Sequence, residues 1–164
     1  MSDVANPVFI SEDALEAVRR HADAAAPFET GGLLIGVTTA ESVWIAAFAE
    51  VDVSKRHRSR FVIPVGATHA TVDDHRGRDP RVGYLGDWHT HPANAGASRV
   101  DFETLAGLAL GSLRRPRLMV LLRRVGVRWD LDLWSMSRLR RPRRVLFERT
   151  GPLPSADVQA SAPD

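Results

Sequence analysis

Apolar residues in this chain come in strand-length runs, and that patterning constrains the fold more than any other feature. The longest strictly apolar stretch is Val43–Ala49, far short of the ~18 residues that a membrane-crossing helix needs. Gly31–Thr38 and Glu41–Val53 read as two strands forming a hairpin through the turn-like Thr38–Ala40 segment. Asp52–Arg60 is a polar loop and Phe61–Pro64 a brief strand, while Leu118–Leu122 is an apolar run of strand length. Arg81–His91 reads as a strand interrupted by Gly83 and Gly86 and broken by Pro92. In the segment 127–134, Val127, Trp129, Leu131 and Leu133 alternate with Arg128, Asp130 and Asp132, the pattern of a half-buried strand.

Helical signals fall between these runs. Ser11 is a natural N-cap with Glu12 and Asp13 in the first turn, and Ala14, Leu15, Val18 and Ala22 recur at helical spacing, so residues 11–25 read as an amphipathic helix stopped by Pro27. Residues 67–78 form a second helix, and Ser98 opens a third that runs to about Leu110, where Gly111 closes it. This order predicts an α/β (α+β) fold, a mixed sheet flanked by helices. With 164 residues and 44% hydrophobic content, the chain suits one domain, placed at 1–149. Residues 150–164, rich in Pro, small residues and acids, read as a disordered tail. The N-terminus carries Asp3, Asn6 and Pro7 where an export signal needs a basic and then an apolar block, so the expected location is cytoplasmic.

Charge is unevenly spread. The formal net charge is only +2, yet the isoelectric point is near 9.9, because all the basic residues but Lys55 are Arg. Between Arg114 and Arg144, eleven Arg face only Asp130 and Asp132. A solvated face in a protein from a GC-rich genome accounts for this stripe; nucleic acid or an acidic protein is the alternative partner. Cysteine is absent. That excludes disulfide scaffolds, thiol nucleophiles and cysteine-ligated metal sites, leaving His, Asp, Glu and water as ligands for any ion.

The segment Trp88–Asp101 concentrates the ligand types. On a strand, His89 and His91 point to the same face, close enough to converge on one ion. Pro92 lets the chain turn back, and Asp101, in the first turn of the next helix, can supply an oxygen. Two His, one carboxylate and an open position describe a catalytic metal site. Ser98 and Asp101 equally fit a capping box that needs no metal, and the two roles compete for the same carboxylate. Upstream, Glu29 precedes the glycine-bounded strand GGLLIG. His21, His57, His69 and His75 show no ligand spacing.

Taken together, Glu29 with GGLLIG and, sixty residues later, HTHP followed by Ser-x-x-Asp resemble the JAMM motif of the JAB1/MPN/Mov34 metalloprotease family. The resemblance spans roughly residues 8–135 and is most similar to bacterial members. It implies a curved mixed sheet related to the cytidine-deaminase architecture, with Zn²⁺ held by His89, His91 and Asp101. Glu29 is implied as general base and Ser98 as oxyanion stabiliser. The implied activity is an isopeptidase or peptidase that cuts after the C-terminal glycine of a ubiquitin-like or sulfur-carrier protein, in the company of activating and conjugating enzymes. One departure is the loop Pro92–Ala97, a residue shorter than is usual before the Ser. The alternative is a non-catalytic scaffold of the same fold, binding protein or nucleic acid through the Arg-rich half. Cytidine deamination is excluded because its zinc site requires cysteines, and a His-x-His (β/α)₈ barrel needs more chain than this. The loops Asp52–Arg60 and Ala93–Ala97 are the expected walls of a substrate groove.

Overall fold

The computed structural model describes residues 6–51 and 66–155. Its elements, in chain order, are β1 (Val8–Ser11), α1 (Glu12–Ala25), β2 (Gly31–Thr38), β3 (Val43–Glu50), α2 (Ala67–Arg78), β4 (Gly83–His91), α3 (Arg99–Leu110), β5 (Arg117–Val125), β6 (Arg128–Met136), β7 (Arg143–Val145) and β8 (Phe147–Thr150). The strands form one sheet in the order β7-β6-β5-β4-β2-β3-β1-β8. It is mixed as expected: β4–β5, β1–β3 and β1–β8 are parallel, the remaining pairs antiparallel. The predicted strand at 61–64 and the whole loop 52–60 lie outside the described residues.

The two outermost strands are consecutive in sequence, separated only by Leu146. One segment therefore pairs with β6 through its first half and with β1 through its second, which curls the sheet into a near-barrel. Helix α1 lies on the inner face. Its Leu15, Val18 and Ala22 pack with Leu34, Ile45, Trp88, Val120, Leu122, Trp129 and Leu133. Ser11 caps it as expected, its hydroxyl accepting from the Ala14 amide at 3.2 Å. Trp129 Nε1 donates to Asp23 at 2.8 Å and ties β6 to the helix. On the outer face, Val72 of α2 joins Leu33, Ile35, Val37 and Val82 in a second apolar cluster, while α3 covers β5 and β6.

A bulge in β4 decides which way the later side chains point. The pairing register with β2 shifts between Leu34 and Ile35, which face Gly86 and Tyr84 respectively and leave Leu85 as the extra residue. A bulge inverts the alternation from that point on. Leu85 and Trp88 consequently both reach the inner core, while Tyr84 and Asp87 share the outer face, the Tyr84 hydroxyl donating to Asp87 at 2.7 Å. Gly86 makes this possible: its φ is +153°, and a Cβ there would sit 1.8 Å from the Leu118 carbonyl oxygen.

Beyond the sheet proper, Thr150 pairs with Ser11 in β8, Leu153 packs half-buried on the outer apolar cluster, and Arg81 donates to the Pro154 carbonyl at 2.8 Å. In β6 the apolar face holds for Trp129 and Leu133, but Val127 is 88% exposed, on a turn with Gly126 at positive φ, and Asp132 is buried. Asp132 is compensated there by Arg123 and Arg144, which is the condition for burying a carboxylate.

Candidate metal centre

His89 and His91 stand on the outer face at the end of β4. Their neighbour strand is locked in register: Gly31 lies opposite His89, the Thr90 amide donates to the Thr30 carbonyl at 2.8 Å, and the Thr30 amide donates to Thr90 Oγ1 at 2.9 Å. Continuing that register by one residue sets Glu29 opposite His91. Glu29 is half-buried. Burial pushes its carboxyl up from the ordinary range, His91 pulls it down, and the Asp101 charge adds to the rise.

Helix α3 brings in the third ligand type. Ser98 is its N-cap, and the capping box is complete: Ser98 Oγ accepts from the Asp101 amide at 3.3 Å, and the Ser98 amide donates to Asp101 Oδ2 at 2.6 Å. The other carboxylate oxygen, Oδ1, lies 3.0 Å from His89 Nε2. The capping and ligand roles therefore do not compete as the sequence suggested, because a carboxylate has two oxygens and spends one on each. Burial raises the Asp101 carboxyl, but the His89 ring and the Ser98 amide outweigh it and hold the group well below the usual carboxylate range. Asp101 is thus an anion, as a ligand must be.

The ligand atoms of His89, His91 and Asp101 all lie within 4.8 Å of one another. Two details fit a cation between them. His89 Nε2 is buried and, despite its nearness to Asp101, makes no hydrogen bond; an uncompensated nitrogen of this kind costs ~1–3 kcal/mol unless something binds it. His91 Nδ1 lies 3.0 Å from the Ala95 carbonyl. Since a carbonyl only accepts, Nδ1 carries the proton, and the lone pair is left on Nε2, which faces Asp101 Oδ2 at 3.6 Å. A backbone carbonyl held against the far nitrogen of the ring is the usual way to fix the tautomer of a metal-binding His. The donor set, two imidazoles and a carboxylate, suits a divalent transition ion.

Each residue picked out from the sequence thus lies at this one end of the sheet. Glu29 is beside the cluster rather than in it, and Ser98 is exposed, its hydroxyl engaged with Asp101. His69 and His75 lie on α2, and His57 lies outside the described residues. His21 is not idle. It bonds Thr30 Oγ1 at 3.0 Å, pairs with Glu50 and packs edge-on against Trp88. It braces the segment that leads into β2 and carries Glu29, a role with no local sequence signal. Nor is the Arg-rich stretch a single solvated face: Arg123 and Arg144 hold Asp132, Arg117 lies over the Tyr84 ring, and Arg124 over Trp129. Among the described residues, no helix is long and apolar enough to cross a membrane.

The family model described as prokaryotic homologs of the JAB domain matches residues 11–133. Among solved structures, the chain is similar to protein DSY2949 from Desulfitobacterium hafniense (TM-score 0.71, 16% identity, 89% of this chain and 94% of that one covered). It is also similar to AF2198, a JAB1/MPN domain protein from Archaeoglobus fulgidus (TM-score 0.52, 16% identity, 88% and 98% covered). At such identities the likeness speaks to fold. No curated protein matches the sequence.

Proposed function

Because the chain belongs to the family of prokaryotic homologs of the JAB domain, we propose that it is a zinc-dependent peptidase or isopeptidase acting at the C-terminal glycine of a ubiquitin-like or sulfur-carrier protein. The observation that carries this reading is the pairing of a convergent donor set with a separate, half-buried carboxylate opposite His91. A purely structural metal site has no use for the extra acid and uses up all its positions on protein ligands.

His89, His91 and Asp101 hold the ion. Zinc, when bound, acidifies a coordinated water and polarises the scissile carbonyl. Glu29, kept out of the ligand set, takes a proton from the attacking water and returns it to the departing amine. The new C–O bond forms first and moves the carbonyl electrons onto oxygen; their return breaks the C–N bond, and the proton ends on the departing nitrogen. A carboxyl raised by burial is better matched to that exchange near neutral pH than an ordinary Glu. Ser98 turns its exposed hydroxyl from Asp101 toward the carbonyl oxygen as negative charge builds there. The loop 92–97 borders the site, and the other proposed groove wall, 52–60, lies outside the described residues.

Elemental analysis of protein purified without added metal tests the first half: one zinc per chain is expected. A fluorogenic C-terminal amide of a ubiquitin-like protein tests the second. Glu29→Gln should retain the zinc and lose about 10²–10⁴-fold in hydrolysis. A folded protein that carries no metal, or a zinc-loaded one that cleaves no such amide, would leave the non-catalytic scaffold as the better account.

A further inference from the structure

β5 places Arg123 directly opposite His91, and β6 places Asp130 opposite Arg123. Residues directly opposed across strands share a face, so a polar row runs across the sheet beside the metal centre. The Arg123 side chain is only 24% exposed, and its guanidinium is used on three sides. Nε donates to Asp132 Oδ2 at 2.9 Å, Nη2 lies 3.7 Å from Asp130, and Nη1 donates to Asn94 Oδ1 at 2.6 Å. Asp132 is itself buried and also engaged by Arg144. The group is therefore fixed from behind by a carboxylate set in a strand, while its outer edge reaches the loop.

Asn94 is exposed and lies in the loop 92–97, which has no regular structure. The loop's internal backbone bond runs from the Ala95 amide to the Ala93 carbonyl, at 2.9 Å. The next group along, the Ala95 carbonyl, is the one that accepts the proton of His91 Nδ1. We propose that the Arg123–Asn94 hydrogen bond is a strap: it holds the Ala95 carbonyl against His91 and so fixes the tautomer and ring orientation with which His91 meets its metal. This rests on His91 being a ligand, as argued above. Arg123 and Asn94 are positioning residues, separated from the ion by a side chain and a peptide. The planar fork of Arg is required, because one end must stay on Asp132 while the other reaches Asn94; the compact ammonium of Lys does not serve both. If Arg123 merely neutralised Asp132, truncating Asn94 would change nothing at the metal.

The test is the zinc affinity of the full-length protein, measured by competition with a chromophoric chelator, together with the melting temperature of the metal-free form. Asn94→Ala should bind zinc about 10-fold more weakly or worse, the size seen when outer-shell partners are removed, with its melting temperature unmoved because the residue is exposed. Asn94→Asp should restore most of the affinity, since its carboxylate accepts the same bond. Arg123→Lys should resemble Asn94→Ala. Equal affinity in Asn94→Ala and the parent would overturn the strap, as would equal weakening of Asn94→Ala and Asn94→Asp. A parent protein that binds no zinc would overturn the metal reading itself and remove the strap's purpose.

Discussion

On the inner face of β4, Trp88 and Thr90 are fully buried and their polar atoms are all answered. The indole N–H donates to the Ala49 carbonyl at 3.1 Å, and the Thr90 hydroxyl accepts from the Thr30 amide and donates to the Thr30 carbonyl. One residue away on the outer face, His89 Nε2 is buried with no well-aligned hydrogen bond, facing the Asp101 carboxylate at 3.0 Å. The same strand, in the same register, satisfies its polar atoms on one side and leaves a nitrogen facing a carboxylate on the other. On the proposed reading a cation completes that nitrogen, so that the inner face serves stability and the outer face binding.

The largest test of this division is His89→Ala. Removing a ligand should abolish zinc retention and reduce hydrolysis by about 10³-fold or more, the scale of several kcal/mol of metal assistance. The metal-free melting temperature should fall only slightly, since the nitrogen faces an Asp101 carboxylate that keeps its bond from the Ser98 amide. A collapse in stability instead would move His89 to the structural side. Trp88→Ala should do the reverse, costing about 3–5 kcal/mol in denaturant unfolding, with zinc bound normally by whatever fraction stays folded. Thr90→Val keeps the shape but leaves the Thr30 amide without its acceptor, a loss of about 1–3 kcal/mol. Because Thr30 adjoins Glu29, this variant should also slow hydrolysis without releasing zinc, which would sharpen the division by showing where the faces communicate.

The smallest effect is expected away from both faces. Where the chain leads into β4, the side-chain and backbone hydrogen bonds from Arg81 hold the Asp79 carboxyl below its ordinary value of 3.8. A lowered carboxyl stabilises the fold at pH values above its unfolded pKa, and the contribution fades as pH falls through the folded one. The pair is partly exposed, so Asp79→Asn should cost only a few tenths of a kcal/mol near neutral pH and nothing once both states are protonated. Urea melts at neutral and strongly acidic pH measure the difference; a larger cost would mean that the Pro154 contact of Arg81 depends on the pair.

Much of this was legible in the sequence because it is local. The His-x-His spacing on a strand fixes a shared face, and Ser98 with Asp101 marks a helix start whatever else they do. Glu29 was not legible on chemical grounds alone. It faces His91 only because β2 and β4 pair with one particular register, and register between distant strands leaves no trace in spacing; the family resemblance supplied what the residues did not. Arg123 was hidden for the same reason, as one Arg among many until its strand partners were known. Strands β7 and β8 escaped because three and four residues are too few for alternation to show. Asp132 was misassigned because alternation distinguishes the two faces of a strand but does not say that both are covered.

The way the chain crosses from one margin of the sheet to the other has a practical consequence. β7 and β8 are adjoining stretches of the same segment, and Leu146 between them is 90% exposed. A single protease cut there would leave the β6 seam held by the three residues of β7 alone, while β8 kept the Leu153 and Pro154 contacts that follow it. The β6 margin would then be the one to open, presenting unpaired backbone of the kind that seeds self-association. The closure of the sheet on that side thus depends on one accessible peptide bond.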